Sequence, residues 1–154
     1  DGLILDLRNN PGGYMDTAIN IIGLFFETQK VAVKIKYSDN SMESYNSPAN
    51  GLLKDLQTVI LINKGSASAS EILAGTLQDY KTAKLVGEKS FGKGTVQDVV
   101  EYKDDSIFKY TSAKWLTPNG RDINKIGLTP DRYILKTTTT NNQDNQLNAA
   151  LEEF

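Results

Sequence analysis

The stretch Thr58-Val59-Ile60-Leu61-Ile62 is followed two residues later by Gly65-Ser66-Ala67-Ser68-Ala69-Ser70-Glu71, and together they predict a strand, a tight turn and a helix. The first run is short, apolar and rich in β-branched residues, which is typical of a buried strand. After the small residues, apolar side chains recur at helical spacing. They are Ala69, Ile72, Leu73, Thr76, Leu77 and Tyr80. Ser68 and Glu71 fit the S-x-x-E capping box that begins many helices.

Strands and helices also alternate on both sides of this unit. Short apolar or alternating runs predict strands at residues 3–7, 31–35, 43–45 and 84–87, and a hairpin of strands at 96–102 and 107–115. Helical spacing predicts helices at 14–25 and from Asp144 to the end. This order predicts an α/β fold with a β-rich second half and a C-terminal helix.

The length of 154 residues suits one domain with a real core. We expect a core domain at 1–136, then a polar linker and the last helix at 137–154. In that helix Leu147, Ala150, Leu151 and Phe154 are predicted to form the packing side. The chain opens directly in a strand, without an initiator Met or a signal peptide, so we expect it to be a piece of a longer protein.

Composition disfavours several classes of function. The net charge is −2, from 17 basic and 19 acidic residues, so no basic excess exists to neutralise phosphates in nucleic acid. Neither Cys nor His is present, which leaves only oxygen ligands for a metal, and no acidic cluster has metal-loop spacing. A serine nucleophile here would need a base other than imidazole, and lysine is the natural substitute.

Ser68 has two interpretations that share one geometry. As a helix cap, its side chain would satisfy the first amides of the helix. As a nucleophile, its hydroxyl would stand at the edge of a sheet, with the amide of Ala69 at the positive end of the helix dipole to stabilise an oxyanion.

Lys93 lies 25 positions after Ser68, inside the glycine-flanked segment Phe91-Gly92-Lys93-Gly94. Residues 87–94 nearly match a phosphate-binding loop, which makes nucleotide binding a rival hypothesis. However, Gly94 replaces the magnesium-binding Ser/Thr, and a strand, not a helix, is predicted next. A third possibility is an exposed lysine in a turn. A general base must be neutral, and we expect Phe91 and nearby apolar strands to bury Lys93.

The segment Asp6-Leu7-Arg8-Asn9-Asn10-Pro11-Gly12-Gly13 ends a strand in two glycines. Without side chains, glycine amides can approach a ligand closely, as a second oxyanion donor would. The same residues are also compatible with a simple turn.

These three segments, with Leu116-Thr117-Pro118-Asn119-Gly120-Arg121 after them, occur in an order that resembles the C-terminal processing peptidases, or tail-specific proteases. The resemblance runs from about residue 1 to 133. It implies that Ser68 is the nucleophile, Lys93 the general base and Gln97 the group that orients the lysine. It also implies an oxyanion hole made by the backbone of Ala69, Gly12 and Gly13.

The resemblance carries further expectations. The fold would be similar to ClpP and crotonase, with ββα units around a core sheet. The full-length protein would act outside the cytoplasm, in the periplasm or anchored to a membrane, and cleave proteins with apolar C-termini near those termini through an acyl-enzyme, without metal or cofactor. Family members carry an upstream PDZ domain that this sequence lacks. We therefore expect exposed apolar surface and self-association.

Two alternatives stay open beside the peptidase. One is a non-catalytic domain of the same fold that binds a peptide or a lipid in the cleft between Gly13 and Ser68. The other is an inactive truncated piece of a peptidase.

Overall fold

The computed structural model describes residues 2–137 and 143–154, and within them the chain forms eight strands and three helices. The strands are β1 (Gly2–Asp6), β2 (Val31–Tyr37), β3 (Met42–Asn46), β4 (Gln57–Ile62), β5 (Ala83–Gly87), β6 (Thr95–Glu101), β7 (Ile107–Leu116) and β8 (Arg132–Tyr133). The helices are α1 (Met15–Gly23), α2 (Ala69–Asp79) and α3 (Asn145–Leu151). None of these helices has the length and apolar character needed to cross a membrane.

The predicted α/β class is confirmed, and every predicted strand and helix is present. The two-residue β8 was not predicted, because it is too short to show a period. Most of the predicted linker, at 138–142, lies outside the described residues.

β4 is one of the two inner strands of a four-stranded parallel sheet with the order β1-β4-β5-β8. Ile60 pairs with Leu5 on one side and with Leu85 on the other. Residues 58–62 are all buried, which explains why the sequence is a continuous apolar run instead of an alternating one.

The two faces of β4 pack against different helices. Ile60 and Ile62 join the main core, to which α1 and α2 contribute. Val59 and Leu61 point the other way, because side chains alternate along a strand, and they pack with Ala149 and Ala150 of α3. The parallel sheet is therefore covered on both sides, and its carboxyl edge carries the turn that leads into α2.

A second, antiparallel sheet has the order β3-β2-β7-β6. Val33 and Ile35 of β2 and Trp115 of β7 belong to the main core. The outer part of the β6–β7 hairpin exposes large apolar side chains. These are Val99, Val100, Tyr102, Ile107, Phe108 and Tyr110. The register shifts between Val96 and Gln97, which marks a bulge at the inner end of β6.

The predicted packing side of α3 is partly wrong. Gln146, Ala149 and Ala150 are buried, whereas Leu147 and Leu151 are exposed. Two side-chain hydrogen bonds explain the difference. The Gln146 side-chain N–H donates to the Ile134 carbonyl at 2.8 Å, and the Gln146 side-chain oxygen accepts from Arg8 at 3.1 Å. These bonds turn the helix so that the glutamine, and not the leucines, faces the sheet. Apolar periodicity could not indicate a satisfied polar side chain on the inner face.

Asp144 fastens α3 to the end of β1. Its carboxylate caps the amides of Gln146 and Leu147 and pairs with Arg8 at 2.7 Å. The Arg8 hydrogen bond is the main reason that the pKa of Asp144 falls from 3.8 to about 2. A carboxyl group whose pKa is lowered in the folded state stabilises the fold at any pH above its ordinary pKa of 3.8. That contribution is lost as the pH falls toward about 2.

For Asp144→Asn we expect a lower melting temperature than wild type at neutral pH, because the variant keeps a capping oxygen but loses the charge beside Arg8. The difference should shrink to near zero as the pH falls from about 4 to about 2. Thermal unfolding followed by circular dichroism measures it, with Asp55→Asn, at an 89% exposed side chain, as the control. A difference that does not change with pH would contradict this assignment.

Candidate active site

Ser68 occupies the turn between β4 and α2 in an unusual backbone conformation. Its φ is 57° and its ψ is −121°, whereas a helix-capping serine normally has extended backbone angles. For a residue with a side chain, such angles cost on the order of 1–3 kcal/mol. The capping box is present: the Ser68 amide donates to Oε2 of Glu71 at 3.0 Å. Ser68 is thus a half-buried serine held in a strained strand-to-helix turn.

Hydrogen bonds from the preceding residues hold this turn against the end of β1. The Ser66 hydroxyl donates to the Leu7 carbonyl at 2.7 Å and accepts from the Asn63 amide at 3.0 Å. The Ala67 amide donates to the Asn10 carbonyl at 3.0 Å. The strained serine therefore keeps a defined position beside the glycine turn.

Gly12 lies in direct contact with the serine turn. Its φ is +94°, and a Cβ atom there would stand 2.6 Å from the Ala67 carbonyl oxygen and 2.8 Å from the Ala69 nitrogen. Only glycine fits this position, because any side chain would overlap the backbone of the turn. Gly13 differs: a Cβ there would meet nothing within 4 Å, so its backbone borders open space.

The backbone amides near Ser68 differ in whether they already donate a hydrogen bond within the protein. The Gly12 amide donates to Oδ1 of Asn10 at 3.0 Å, and the Ser68 amide donates to Glu71. Within residues 2–137 and 143–154, no acceptor is found for the amides of Ala69 and Gly13. Ala69 opens α2, where the first amides are normally without intrahelical partners. Of the three predicted oxyanion donors, the amides of Ala69 and Gly13 have no acceptor among the described residues. The Gly12 amide already donates to Asn10, and Gly12 instead allows the close contact between the two turns.

The lysine segment is fixed by its backbone. The Lys93 amide donates to Oε2 of Glu71 at 2.9 Å, and its carbonyl accepts from Nε1 of Trp115 at 2.8 Å. The Gly92 carbonyl accepts from the Lys125 amide at 2.8 Å. After Gly94 the chain enters β6 and not a helix, so this segment lacks the helix N-terminus that a phosphate-binding loop requires.

The sequence predicts only a helix-capping role for Glu71, but the structure gives this residue a wider one. It is fully buried and accepts four hydrogen bonds. Oε2 accepts from the amides of Ser68 and Lys93, and Oε1 accepts from the Gly92 amide at 2.7 Å and the Ser90 hydroxyl at 2.5 Å. One carboxyl group thus joins the serine turn to the lysine segment.

Ser68, Lys93 and Gln97 line one cavity of about 340 Å³. Gly13, Met15, Ile72, Val96 and Trp115 are among its other walls. Gln97 is exposed at its border, just after the bulge in β6. The expectation that Phe91 buries Lys93 is wrong, because Phe91 is 63% exposed. Lys93 is half-buried, and its apolar surroundings come from the cavity walls.

The end of β1 is held by a charged cluster. Arg8 makes a two-oxygen contact with Asp6, at 2.9 and 2.6 Å, and also reaches Asp144. The hydrogen bonds from Arg8 lower the pKa of Asp6. Since Asn10 and Gly12 follow at once, this cluster fixes the strand end from which the glycine turn projects.

The fourth motif supports the other end of α2. Arg121 pairs with the buried carboxylate of Asp79, and the Asn119 amide donates to the same carboxylate at 2.8 Å. Arg121 also donates to the Gln78 side chain at 3.0 Å. This motif steadies the helix that carries Ser68 and does not line the cavity of Lys93.

Residues 1–134 match the family described as Peptidase family S41. The chain belongs to peptidase family S41. A probable CtpA-like serine protease of Staphylococcus haemolyticus is 46% identical over 134 residues, which are 86% of this chain and 27% of the relative. The chain therefore spans about a quarter of the length of that S41 relative.

Solved structures show the same fold. The photosystem II D1 C-terminal processing protease aligns with a TM-score of 0.80 and 41% identity, over 86% of this chain and 34% of the other. Tricorn protease aligns over 99% of this chain and 14% of its own, with a TM-score of 0.64 and 19% identity, which supports the fold alone. These similarities place the S41 chain with the C-terminal processing peptidases, and its mixed α/β architecture is consistent with a ClpP-like core.

Glu71→Gln should destabilise the domain, because an amide offers one acceptor oxygen and turns its own N–H donors toward the amides of Gly92 or Lys93. We expect a loss of about 2–4 kcal/mol in the free energy of unfolding, and about 1–2 kcal/mol for Ser90→Ala. Urea denaturation measures both.

Glu101→Gln, at an exposed position on β6, is the matched control and should unfold like wild type. If Glu71→Gln were as stable as this control, the four hydrogen bonds would not be what holds the two segments together.

Proposed function

We propose that the chain is the catalytic core of a serine endopeptidase that works by a Ser68–Lys93 dyad through an acyl-enzyme. The observation that carries the proposal is the shared cavity of Ser68, Lys93 and Gln97, which Gly13 also lines. The amides of Gly13 and of Ala69, the residue after Ser68, have no acceptor among the described residues. The chain has no His or Cys, so a base in that cavity would be a lysine. Of the two lysines that line the cavity, Lys93 is half-buried and held by its backbone, whereas Lys109 is exposed, and we therefore assign the base to Lys93.

Acylation begins when neutral Lys93 accepts the hydroxyl proton of Ser68. The serine Oγ bonds to the carbonyl carbon of the peptide, and the carbonyl oxygen becomes an oxyanion held by the Ala69 and Gly13 amides. The carbon–nitrogen bond then breaks. Lys93 returns the proton to the leaving amine, so that the C-terminal piece departs as a neutral amine and the dyad is neutral again.

Deacylation repeats these steps with water. Lys93 accepts a proton from a water molecule, whose oxygen attacks the ester carbon. The same two amides hold the new oxyanion. When the ester carbon–oxygen bond breaks, Lys93 gives its proton to the Ser68 oxygen, and the carboxylic acid product leaves.

Two residues position the dyad without reacting. Glu71 holds the backbone of both partners, since its Oε2 atom accepts from the amides of Ser68 and Lys93. Gln97, four residues beyond Lys93, lines the same cavity, and in this mechanism its side chain orients the lysine amine. Neither role requires the residue to bond to the substrate.

Proteins with apolar C-termini, cleaved near those termini, are the substrates that we propose. Cleavage near a C-terminus is supported by the similarity to the photosystem II D1 C-terminal processing protease, and the apolar C-terminus is what the resemblance of the sequence motifs implies. We propose action outside the cytoplasm as well, which is what the resemblance of the sequence motifs to the tail-specific proteases implies.

Ser68→Ala and Lys93→Met test the dyad with an alkyl fluorophosphonate, which reacts with activated serines, on the full polypeptide. We expect wild type to gain one adduct, on Ser68, by intact mass and peptide mapping. Ser68→Ala should gain none, and Lys93→Met should react at least about 100-fold more slowly because no base takes the proton.

Lys89→Met and Ser38→Ala are the matched controls, since both residues are exposed and lie outside the cavity. They should react like wild type. Labelling of Lys93→Met at the wild-type rate, or no labelling of wild type, would contradict the dyad and favour a binding domain of the same fold.

A further inference from the structure

Lys109 is a second lysine in the wall of the catalytic cavity, and the proposed mechanism does not use it. It lies on β7 directly opposite Val99 of β6, and both residues line the cavity together with Ser68 and Lys93. The Lys109 side chain is exposed. In the described part of the chain its ammonium group makes no ion pair and no hydrogen bond. This positive charge is therefore free to meet a ligand.

The bulge in β6 determines which side chains share the cavity wall with Lys109. Side chains alternate along β7, so Lys109 points to the same face of the sheet as Trp115, an even number of residues away in the main core. On β6 the register shifts between Val96 and Gln97, and beyond this bulge Gln97 and Val99 line the cavity. The cavity wall is thus a continuation of the core face of the sheet, and Lys109 lies at its outer end.

The lining of the cavity contains lysines but no acidic side chain. None of the described residues that line it is Asp or Glu. Asp98 pairs with Tyr110 and therefore belongs to the other face of the hairpin. Glu101 shares the face of Lys109, but it lies two positions beyond Val99, does not line the cavity and makes no ion pair with Lys109. An anionic group of a bound substrate would find Lys109 without a competing carboxylate in the cavity wall.

Lys109 lies on the leaving side of the cleaved bond. During acylation the leaving amine must be near Lys93 to receive its proton. β6 begins two residues after Lys93 and follows the cavity wall past Gln97 to Val99, opposite Lys109. From Gln97 to Val99 an extended strand advances about 7 Å, which is also the span of two residues of an extended substrate. The first three residues after the cleaved bond are therefore the ones that come within reach of Lys109.

We propose that Lys109 is a specificity-determining residue, which pairs with a carboxylate carried by the first three residues after the cleaved bond. This inference rests on the proposed function, because it assumes that Ser68 is acylated and that Lys93 protonates the leaving amine. The carboxylate has two sources. It is the side chain of an Asp or Glu in this segment, or the α-carboxylate of a substrate whose C-terminus follows the cleaved bond within three residues. The second source is compatible with an apolar last residue.

The test uses internally quenched fluorescent peptides with the full polypeptide. The peptides share one sequence up to the cleaved bond and carry alanine after it. In the first set, Glu or Gln replaces the first, second or third residue after the bond, and the C-terminus is a distant amide. In the second set, the peptide ends three residues after the bond, as a free acid or as an amide. Mass spectrometry identifies the cleaved bond, and Ser68→Ala measures the background rate.

For wild type we expect kcat/KM to be about 5-fold higher for Glu than for Gln in the first set, or for the free acid than for the amide in the second. A larger factor is not expected, because an ion pair with an exposed side chain is weak. The set that shows the preference identifies the source of the carboxylate. Raising the salt concentration to about 1 M should remove most of the preference, since salt screens exposed charges.

Variants of Lys109 should change this ratio according to their charge. Lys109→Gln should bring the ratio to about 1, Lys109→Glu should invert it, and Lys109→Arg should keep it. Lys103→Gln, at an exposed position in the turn of the same hairpin and outside the cavity, is the matched control and should keep the wild-type ratio.

Ser68-dependent cleavage in which wild type shows no preference in either set, or a preference that Lys109→Gln retains, would overturn the role of Lys109 and leave the dyad standing. Absence of any Ser68-dependent cleavage would overturn both.

Discussion

The carboxyl group of Glu71 is the interaction on which the site depends. It accepts from the amides of Ser68, Gly92 and Lys93 and from the Ser90 hydroxyl, and it is fully buried. Each of these donors would otherwise be buried or half-buried without an acceptor, which is expensive. The four bonds therefore give the serine turn and the lysine segment a fixed relation, although the two segments are more than 20 residues apart in the chain.

A second constraint is the strain at Ser68, which persists only because the surroundings hold it. The Ser66–Leu7 and Ala67–Asn10 hydrogen bonds fix the turn from the side of β1, and Glu71 fixes it from the side of α2. Gly12 completes the arrangement, because only glycine leaves room for the Ala69 nitrogen. The same close contact keeps the adjoining residue Gly13 beside the nucleophile, in the wall of the cavity that Ser68 lines.

All strands and helices except the two-residue β8 were predictable, because the continuous apolar run of β4 and the helical spacing of α2 are local patterns that burial imposes on a sequence. Ser68, Lys93 and Gln97 could be proposed from ordered motifs. The role of Glu71 toward Gly92 and Lys93 could not, since those hydrogen bonds join distant segments and leave no periodic signal. For the same reason the sequence did not predict the burial of Gln146, whose side chain bonds to the Ile134 carbonyl and to Arg8. It also did not predict that the Gly12 amide donates to Asn10.

A crystal structure of the protein after reaction with a peptidyl phosphonate tests the central claim most directly. We expect phosphorus bonded to Oγ of Ser68 and a phosphonyl oxygen roughly 2.7–3.1 Å from the nitrogens of both Ala69 and Gly13. Glu71 should still accept from the Ser68 and Lys93 amides. An adduct on another residue, or a phosphonyl oxygen turned away from those amides with the Glu71 bonds broken, would contradict it.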